Sequence, residues 1–397
     1  MFNSLKRAAA LLVVLLSGQT WAADSDATKT HAGHRPALGA SALFAANGDL
    51  LVVTKQADQV MLHRSKDDGL TWTKPLAVNT QPEPIAADVQ NRPKLAVASD
   101  GALLVSWTQP LPKPYTGAVR LARSADGLRF DAPITVHKDK AEITHRFETM
   151  LALPGNRVLL AWIDKRDGVA AKGAKKPYRG AGIYAAMSSD GGKTFAPEFK
   201  LADHSCECCR LASTLDRDGQ PLLMWRHVFE PNERDHALVT LSPEGKVQSF
   251  QRATFERWKL DGCPHHGPSL VVDAKGVKHA VWFNQREGEA RVFYGRLVAD
   301  AQGLRVDGQR TVGGKRAAHA DIGLAGDQLA VAWIEFDGEN NKLMAMTSSD
   351  GGQKFSEPVV LDQSADAVGV PSVIAKGGKL WAFWQSAREG LRVRPMP

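Results

Sequence analysis

The feature that most restricts the fold is a repeat of strand-like runs ending in tryptophan. These runs are Ala102 to Trp107, Arg157 to Trp162, Pro221 to Trp225, Lys278 to Trp282, Gln328 to Trp333 and Lys379 to Trp384. Successive tryptophans stand 55, 63, 57, 51 and 51 positions apart, and Asp49 to Val53 opens the series with Val in the Trp place. Most runs follow a glycine turn, as at Asn47-Gly48, Asp100-Gly101 and Asp218-Gly219, and another apolar run precedes the turn. Each pair is therefore expected to form a β-hairpin. A unit of this length cannot bury both its faces alone, so like units must stack on one another.

A third strand follows each hairpin, and in four units a polar turn comes next. The four are Ser65-Lys66-Asp67-Asp68-Gly69-Leu70-Thr71-Trp72, Ser124-Ala125-Asp126-Gly127-Leu128-Arg129-Phe130, Ser189-Asp190-Gly191-Gly192-Lys193-Thr194-Phe195 and Ser349-Asp350-Gly351-Gly352-Gln353-Lys354-Phe355. Asp and Ser side chains bond nearby backbone amides, Gly supplies positive φ, and the closing aromatic packs back on the sheet. These turns resemble the Asp-box, or BNR repeat, of the sialidase-like β-propellers. The resemblance implies an all-β fold of four-stranded antiparallel blades arranged radially. Counting hairpins gives seven blades, with six, the sialidase number, as the alternative. The seventh unit has only three strands, Pro371 to Ala375, Lys379 to Gln385 and Leu391 to Arg394; a strand near Arg35 is expected to complete it.

At the N-terminus, Lys6-Arg7 precedes an apolar run from Ala8 to Leu16, and small residues suit cleavage after Ala22. This is the pattern of a secretory signal peptide over residues 1–22. A polar lead-in with His31 and His34 spans residues 23–36, and one propeller domain spans residues 37–397. No later run reaches transmembrane length. The expected destination is the periplasm in a Gram-negative source and secretion otherwise. Without Lys6 and Arg7 the chain holds 48 basic against 43 acidic residues, a net +5 with no dense face, which argues against nucleic acid as a partner.

In a propeller, the loops entering the innermost strands and the loops joining strands two and three share one face, while the Asp-box turns share the other. On the first face, here called the mouth, lie Arg35, Arg92, Arg146, Arg210, Cys206, Cys208, Cys209, Cys263, His265, His266 and His319. Arg92 and Arg210 each stand fifteen residues before their marker Trp, and Arg146 stands sixteen before its own. The spacing predicts three arginines at the mouth of the central channel, suited to an anionic ligand or to backbone carbonyls. The basic loop Lys165 to Arg179 is expected on the same face as a solvated flap.

All four cysteines fall in two adjacent mouth loops, Cys206 to Cys209 and Cys263. Thiolate and imidazole together suit zinc or copper, with Cys206, Cys208, Cys209, Cys263, His265, His266 and His319 as candidate ligands. In an exported chain, disulfides among the same four cysteines are the competing expectation.

The sialidase resemblance implies an arginine cluster for a substrate carboxylate, an acid/base Asp, and a Tyr nucleophile activated by Glu. Asp88 and Glu148 are the matching acid/base candidates. The family's Phe/Tyr-Arg-Ile-Pro motif is absent, with only His34-Arg35-Pro36 in its place, and none of the four tyrosines follows Tyr294. The leading expectation is thus an exported binding protein for a transition metal or small anionic ligand. The alternatives are a sialidase or other glycoside hydrolase or lyase acting on acidic sugars, and a scaffold that docks an exported protein partner.

Overall fold

The computed structural model describes residues 38–397. The signal peptide, the lead-in and Arg35 lie outside the described residues. Strand pairing divides those residues into antiparallel meanders. The first comprises β1 (Ser41–Phe44), β2 (Leu50–Gln56), β3 (Gln59–Ser65) and β4 (Leu76–Ala77). The second comprises β5 (Lys94–Val97), β6 (Leu103–Pro110), β7 (Gly117–Ser124) and β8 (Ile134–Thr135). In the third, β9 (His145–Leu153) and β10 (Arg157–Asp164) are followed by helix α1 (Arg166–Gly173), then β11 (Ala181–Ser188) and β12 (Phe199–Ser205). The fourth holds β13 (Ala212–Leu215), β14 (Pro221–Phe229), β15 (Glu233–Leu241) and β16 (Val247–Arg252). The fifth holds β17 (Ser269–Val272), β18 (Lys278–Arg286), β19 (Glu289–Asp300) and β20 (Gly303–Val312). The sixth holds β21 (Ala317–Ala325), β22 (Gln328–Phe336), β23 (Asn341–Ser348) and β24 (Val359–Ser364). The seventh is β25 (Ser372–Lys376), β26 (Lys379–Ser386) and β27 (Gly390–Pro395).

The inner strands touch in the order β1, β5, β9, β13, β17, β21, β25, and β25 returns to β1, which closes a ring. Apolar clusters lie between neighbouring meanders all the way round. This explains why the second strand of each meander is a nearly continuous apolar run rather than an alternating one, since both its faces are buried. In β2, Leu51 and Val53 pack toward the second meander while Leu50 and Val52 pack toward the seventh. The marker tryptophans are all buried. One pair, Ser205 with His227, joins the third and fourth meanders into a continuous sheet.

The polar turns close on themselves. Ser65 Oγ donates to Asp67 Oδ1 (2.8 Å) and accepts from Gly69 N–H (2.8 Å), and Thr71 donates its N–H and hydroxyl to the Asp67 carboxylate. In the third and sixth meanders the bonding serines are Ser188 and Ser348, one residue before Ser189 and Ser349. All four turns therefore share a Ser-x-Asp spacing. A fifth turn uses Ser242 and Glu244, with Glu in the Asp place, which hid it from the motif. Gly69, Gly192 and Gly352 hold φ of +88°, +86° and +75°, which a Cβ would penalise.

The basic loop is not a plain flap. Arg166–Gly173 forms α1, and three of the loop's six basic residues are paired: Lys165 with Glu207, Arg166 with Asp164 and Glu198, and Arg179 with Glu230.

Candidate functional site

Three side chains cross the ring centre on the mouth face. The Gln90 amide oxygen accepts from Arg210 N–H (3.2 Å) and Gly267 N–H (2.8 Å), so its nitrogen turns to His319 Nδ1 at 3.2 Å. Arg92 reaches the Val370 carbonyl (3.0 Å) and the Ser372 hydroxyl (3.3 Å) in the seventh meander. Arg210 reaches the carbonyls of Pro268 (3.1 Å) and Ala320 (2.7 Å). Gly267 lies directly against Arg210, where a Cβ would stand 2.3 Å from its Cγ. Arg92 and Arg210 are therefore buried spokes, and burial lowers Arg92 to about 10. Arg92 Nε and Arg210 Nη1 have no partner among the described residues.

Arg146, the third arginine of the spacing series, behaves differently. A β-bulge in β9 places Ala161 opposite Thr149 but Ile163 opposite Arg146, and Phe147 takes a φ of +59°. The extra residue re-aims the side chains on either side of it. Arg146 remains half-buried and pairs with Asp88 on the exposed rim at 3.5 Å. His319 sits at a similar bulge in β21, with φ of +53°. Strained backbone of this kind gathers at functional sites.

Behind the bulge lies an unbalanced polar group. Glu148 is buried, its Oε2 stands 2.8 Å from Thr108 Oγ1, and its Oε1 has no partner among the described residues. The same hydroxyl stands 3.0 Å from Asn91 Oδ1, which also accepts Phe147 N–H. One hydroxyl proton cannot serve two acceptors. A protonated Glu148 resolves this by donating to Thr108, which then donates to Asn91. Burial raises the Glu148 carboxyl in the same sense, against the pull of Lys94. Lys94, half-buried on β5, donates to the Arg92 carbonyl at 2.8 Å. Burial first, then the nearby Arg92 and Arg210 charges, lower it to about 7, with Glu148 opposing. An amine lowered to about 7 and a carboxyl raised by burial can exchange protons with a substrate.

Sequence reasoning missed Gln90 and Lys94. Lys94 stands two residues after Arg92, hence on the same side of an extended segment, and that period of two was the available signal.

His266 and His319 stack on each other with ring centroids 4.1 Å apart, and Phe283 stacks on His266 at 4.1 Å. Burial lowers His266 to about 2 and His319 to about 3. Neither joins the cysteines in a group of closely spaced ligand atoms, and nor does exposed His265. Cys206, Cys208 and Cys209 are buried, with sulfurs 3.7, 3.9 and 4.0 Å apart. Cys263 is exposed, and its thiol is near enough to interact with those of Cys206 and Cys208. The neighbouring loops thus bring the Cys263 thiol toward the other three, although it lies outside the closely spaced group that those three form. All four are free thiols, and this geometry gives no support to disulfides.

A second group, Asp139, His145 and Asp164, encloses Arg166 and is an ion-pair network. Tyr184 bonds Asp167 and Tyr294 bonds His279, away from Glu148, and Tyr178 bonds Asp203. Tyr115 is exposed. Among the described residues no helix is long and apolar enough to cross a membrane.

No protein-family model matches the chain, and no curated protein does. Among solved structures it is similar to an ulvan lyase of polysaccharide lyase family PL25 bound to -[GlcA(1-4)Rha3S]-. That likeness has a TM-score of 0.59 at 11% identity, covering 89% of this chain and 91% of the other. It is also similar to the polysaccharide lyase Uly1, with TM-score 0.56 and 9% identity over 93% and 94% of the two chains. A GH93 α-L-arabinofuranosidase of Fusarium graminearum, in complex with arabinobiose, gives TM-score 0.51 and 14% identity over 78% of this chain and 92% of its own. At such identities the likeness is one of fold, a β-propeller also found in carbohydrate-processing proteins.

Proposed function

We propose that the chain is an exported polysaccharide-processing enzyme acting on an acidic sugar at the mouth face, by elimination rather than through a sialidase-type nucleophile. The observation that carries this reading is the Lys94–Glu148 pair: an amine lowered to about 7 and a buried carboxyl raised from its ordinary value, beside three arginines. Elimination at a uronate requires a base for the proton next to the carboxylate, a proton for the departing glycosidic oxygen, and positive charge to stabilise the intermediate. Neutral Lys94 suits the first role and protonated Glu148 the second. Arg146 and Asn91, whose side-chain nitrogens keep unpartnered N–H groups, suit the sugar carboxylate, while Arg92 and Arg210 supply positive potential from beneath. Asp88 then orients Arg146 instead of serving as the acid. The lyases of similar fold support this reading over the binding protein and the docking scaffold.

The test is to incubate the purified chain with a panel of uronate polysaccharides, sulfated and unsulfated, while following ultraviolet absorbance and reducing ends. Both signals rise together for a lyase. Reducing ends without absorbance would replace elimination with hydrolysis, and neither signal would sink the enzyme reading.

A further inference from the structure

The cysteine cluster plays no part in the chemistry above, yet its geometry is specific. Four sulfurs around zinc at about 2.3 Å stand about 3.8 Å apart along the edges of a tetrahedron. The Cys206, Cys208 and Cys209 sulfurs stand 3.7, 3.9 and 4.0 Å apart, three corners of such a figure. Cys263 approaches the same triangle from the β16–β17 loop.

The loop that presents the three thiols is held from behind. Ser205 pairs with His227, and Cys206 N–H donates to the Arg226 carbonyl at 2.9 Å. Arg226 is the second observation. Its guanidinium is fully buried and bonds only carbonyls, those of Arg234, His266 and Phe283, with no carboxylate within 4.0 Å among the described residues. A guanidinium stays charged in any protein interior, and a buried charge without a counter-ion is costly. Four thiolates around one cation carry a net negative charge beside it, which neutral thiols do not.

We propose that Cys206, Cys208, Cys209 and Cys263 form a closed all-thiolate site for one thiophilic d10 cation, zinc(II) or copper(I), with the Arg226 guanidinium as its buried counter-charge. The site ties the loop before β13 to the loop before β17. Because Arg210 follows Cys209 directly, it also fixes one spoke of the ring centre. The histidines of the same face, His265, His266 and His319, stay outside it.

The full chain, prepared anaerobically without chelator, should contain about one zinc or copper per chain by elemental analysis, and the element found distinguishes the two ions. Its thiols should resist a thiol reagent until a chelator removes the metal. Cobalt(II) added to the stripped chain should give the thiolate charge-transfer band and the intense visible bands of a tetrahedral site. Cys208→Ser should abolish occupancy, and His265→Ala should keep it. Should Cys208→Ser fail to fold, the cobalt spectrum of the unaltered chain decides alone. A metal-free chain with no titratable thiols in denaturant would overturn the proposal in favour of disulfides. A chain with four reactive thiols and no cobalt band would overturn it outright, and metal loss in His265→Ala would overturn the all-sulfur ligand set. Each readout is independent of polysaccharide cleavage.

Discussion

The two faces of the ring differ in how far they satisfy their polar groups. On the Asp-box face the serine and aspartate of the turn bond partners a few residues away, at 2.6 to 3.3 Å in the Ser188–Thr194 turn. Asp67 is lowered to about 2 by the bonds from Thr71 and Ser65, and Asp190 to about 2 by Thr194 and Ser188 against the effect of burial. On the mouth face, Asn91, Arg92, Arg146, Glu148, Arg210 and His266 each keep a buried polar atom without a partner among the described residues, against Asn156 and Gln220 at the opposite turns. Such atoms are expensive inside a protein. One face closes on its own local bonds, and the unpartnered groups of the other are the ones the proposed function draws on.

The sharpest way to break this contrast is Glu148→Gln. On a reactive acidic polysaccharide, kcat should fall by about 10²- to 10⁴-fold, the range for loss of a general acid. Thermal stability should hold or rise, since a buried ionisable carboxyl is replaced by a neutral amide. A variant that melts earlier but keeps its turnover would move Glu148 to the structural side.

The complementary change is Ser188→Ala on the other face. It removes a buried hydroxyl that bonds both Asp190 and Gly192, and the expected cost is about 1–3 kcal/mol by denaturant unfolding. Activity per folded molecule should not change.

These two substitutions also mark how far the sequence could be read. Hairpins, marker tryptophans and Asp-box turns are local in the chain, so their residues could be paired without knowing the fold, to within a residue for β25, β26 and β27. The meeting of the two cysteine loops followed from adjacency in the repeat. The arginine series did not transfer so simply. Arg92 and Arg210 share a spacing and a role as spokes, but the one-residue bulge at Phe147 sends Arg146 to the rim. A bulge leaves no mark in composition or period, because it is set by the partner strand. Gln90 was illegible for a related reason: its partners lie 120, 177 and 229 residues away across the ring.

Acid should act on the buried histidines before it acts on the Asp-box carboxylates. His266 and His319 stay neutral in the folded state, while in the unfolded chain they protonate near pH 6.5. Because their folded pKa values are depressed, the stability they lend is full above about pH 6.5 and is lost as pH falls toward about 3. The Asp-box carboxylates contribute above about pH 4 and lose their contribution as pH falls toward about 2. The melting temperature should therefore begin to drop by a few degrees between pH 6.5 and 5, and His319→Asn should remove part of that drop, since burial lowers His137, His227 and His279 as well. A curve level down to pH 4 would count against a neutral, buried histidine stack.

The smallest expected effect tests the boundary between the faces' two roles within one trio of arginines. Arg146→Lys keeps the charge but loses the planar donor fork that suits a carboxylate. Its bond to Asp88 is long, at 3.5 Å, and Asp88 is exposed, so the pair adds little to stability. The expected result is a KM for acidic polysaccharide raised several-fold, with kcat and melting temperature nearly unchanged. Arg92→Lys should do the reverse, lowering the melting temperature through the lost bonds to Val370 and Ser372. If both variants melt early and bind normally, the bulge has re-aimed Arg146 without freeing it, and all three arginines are spokes.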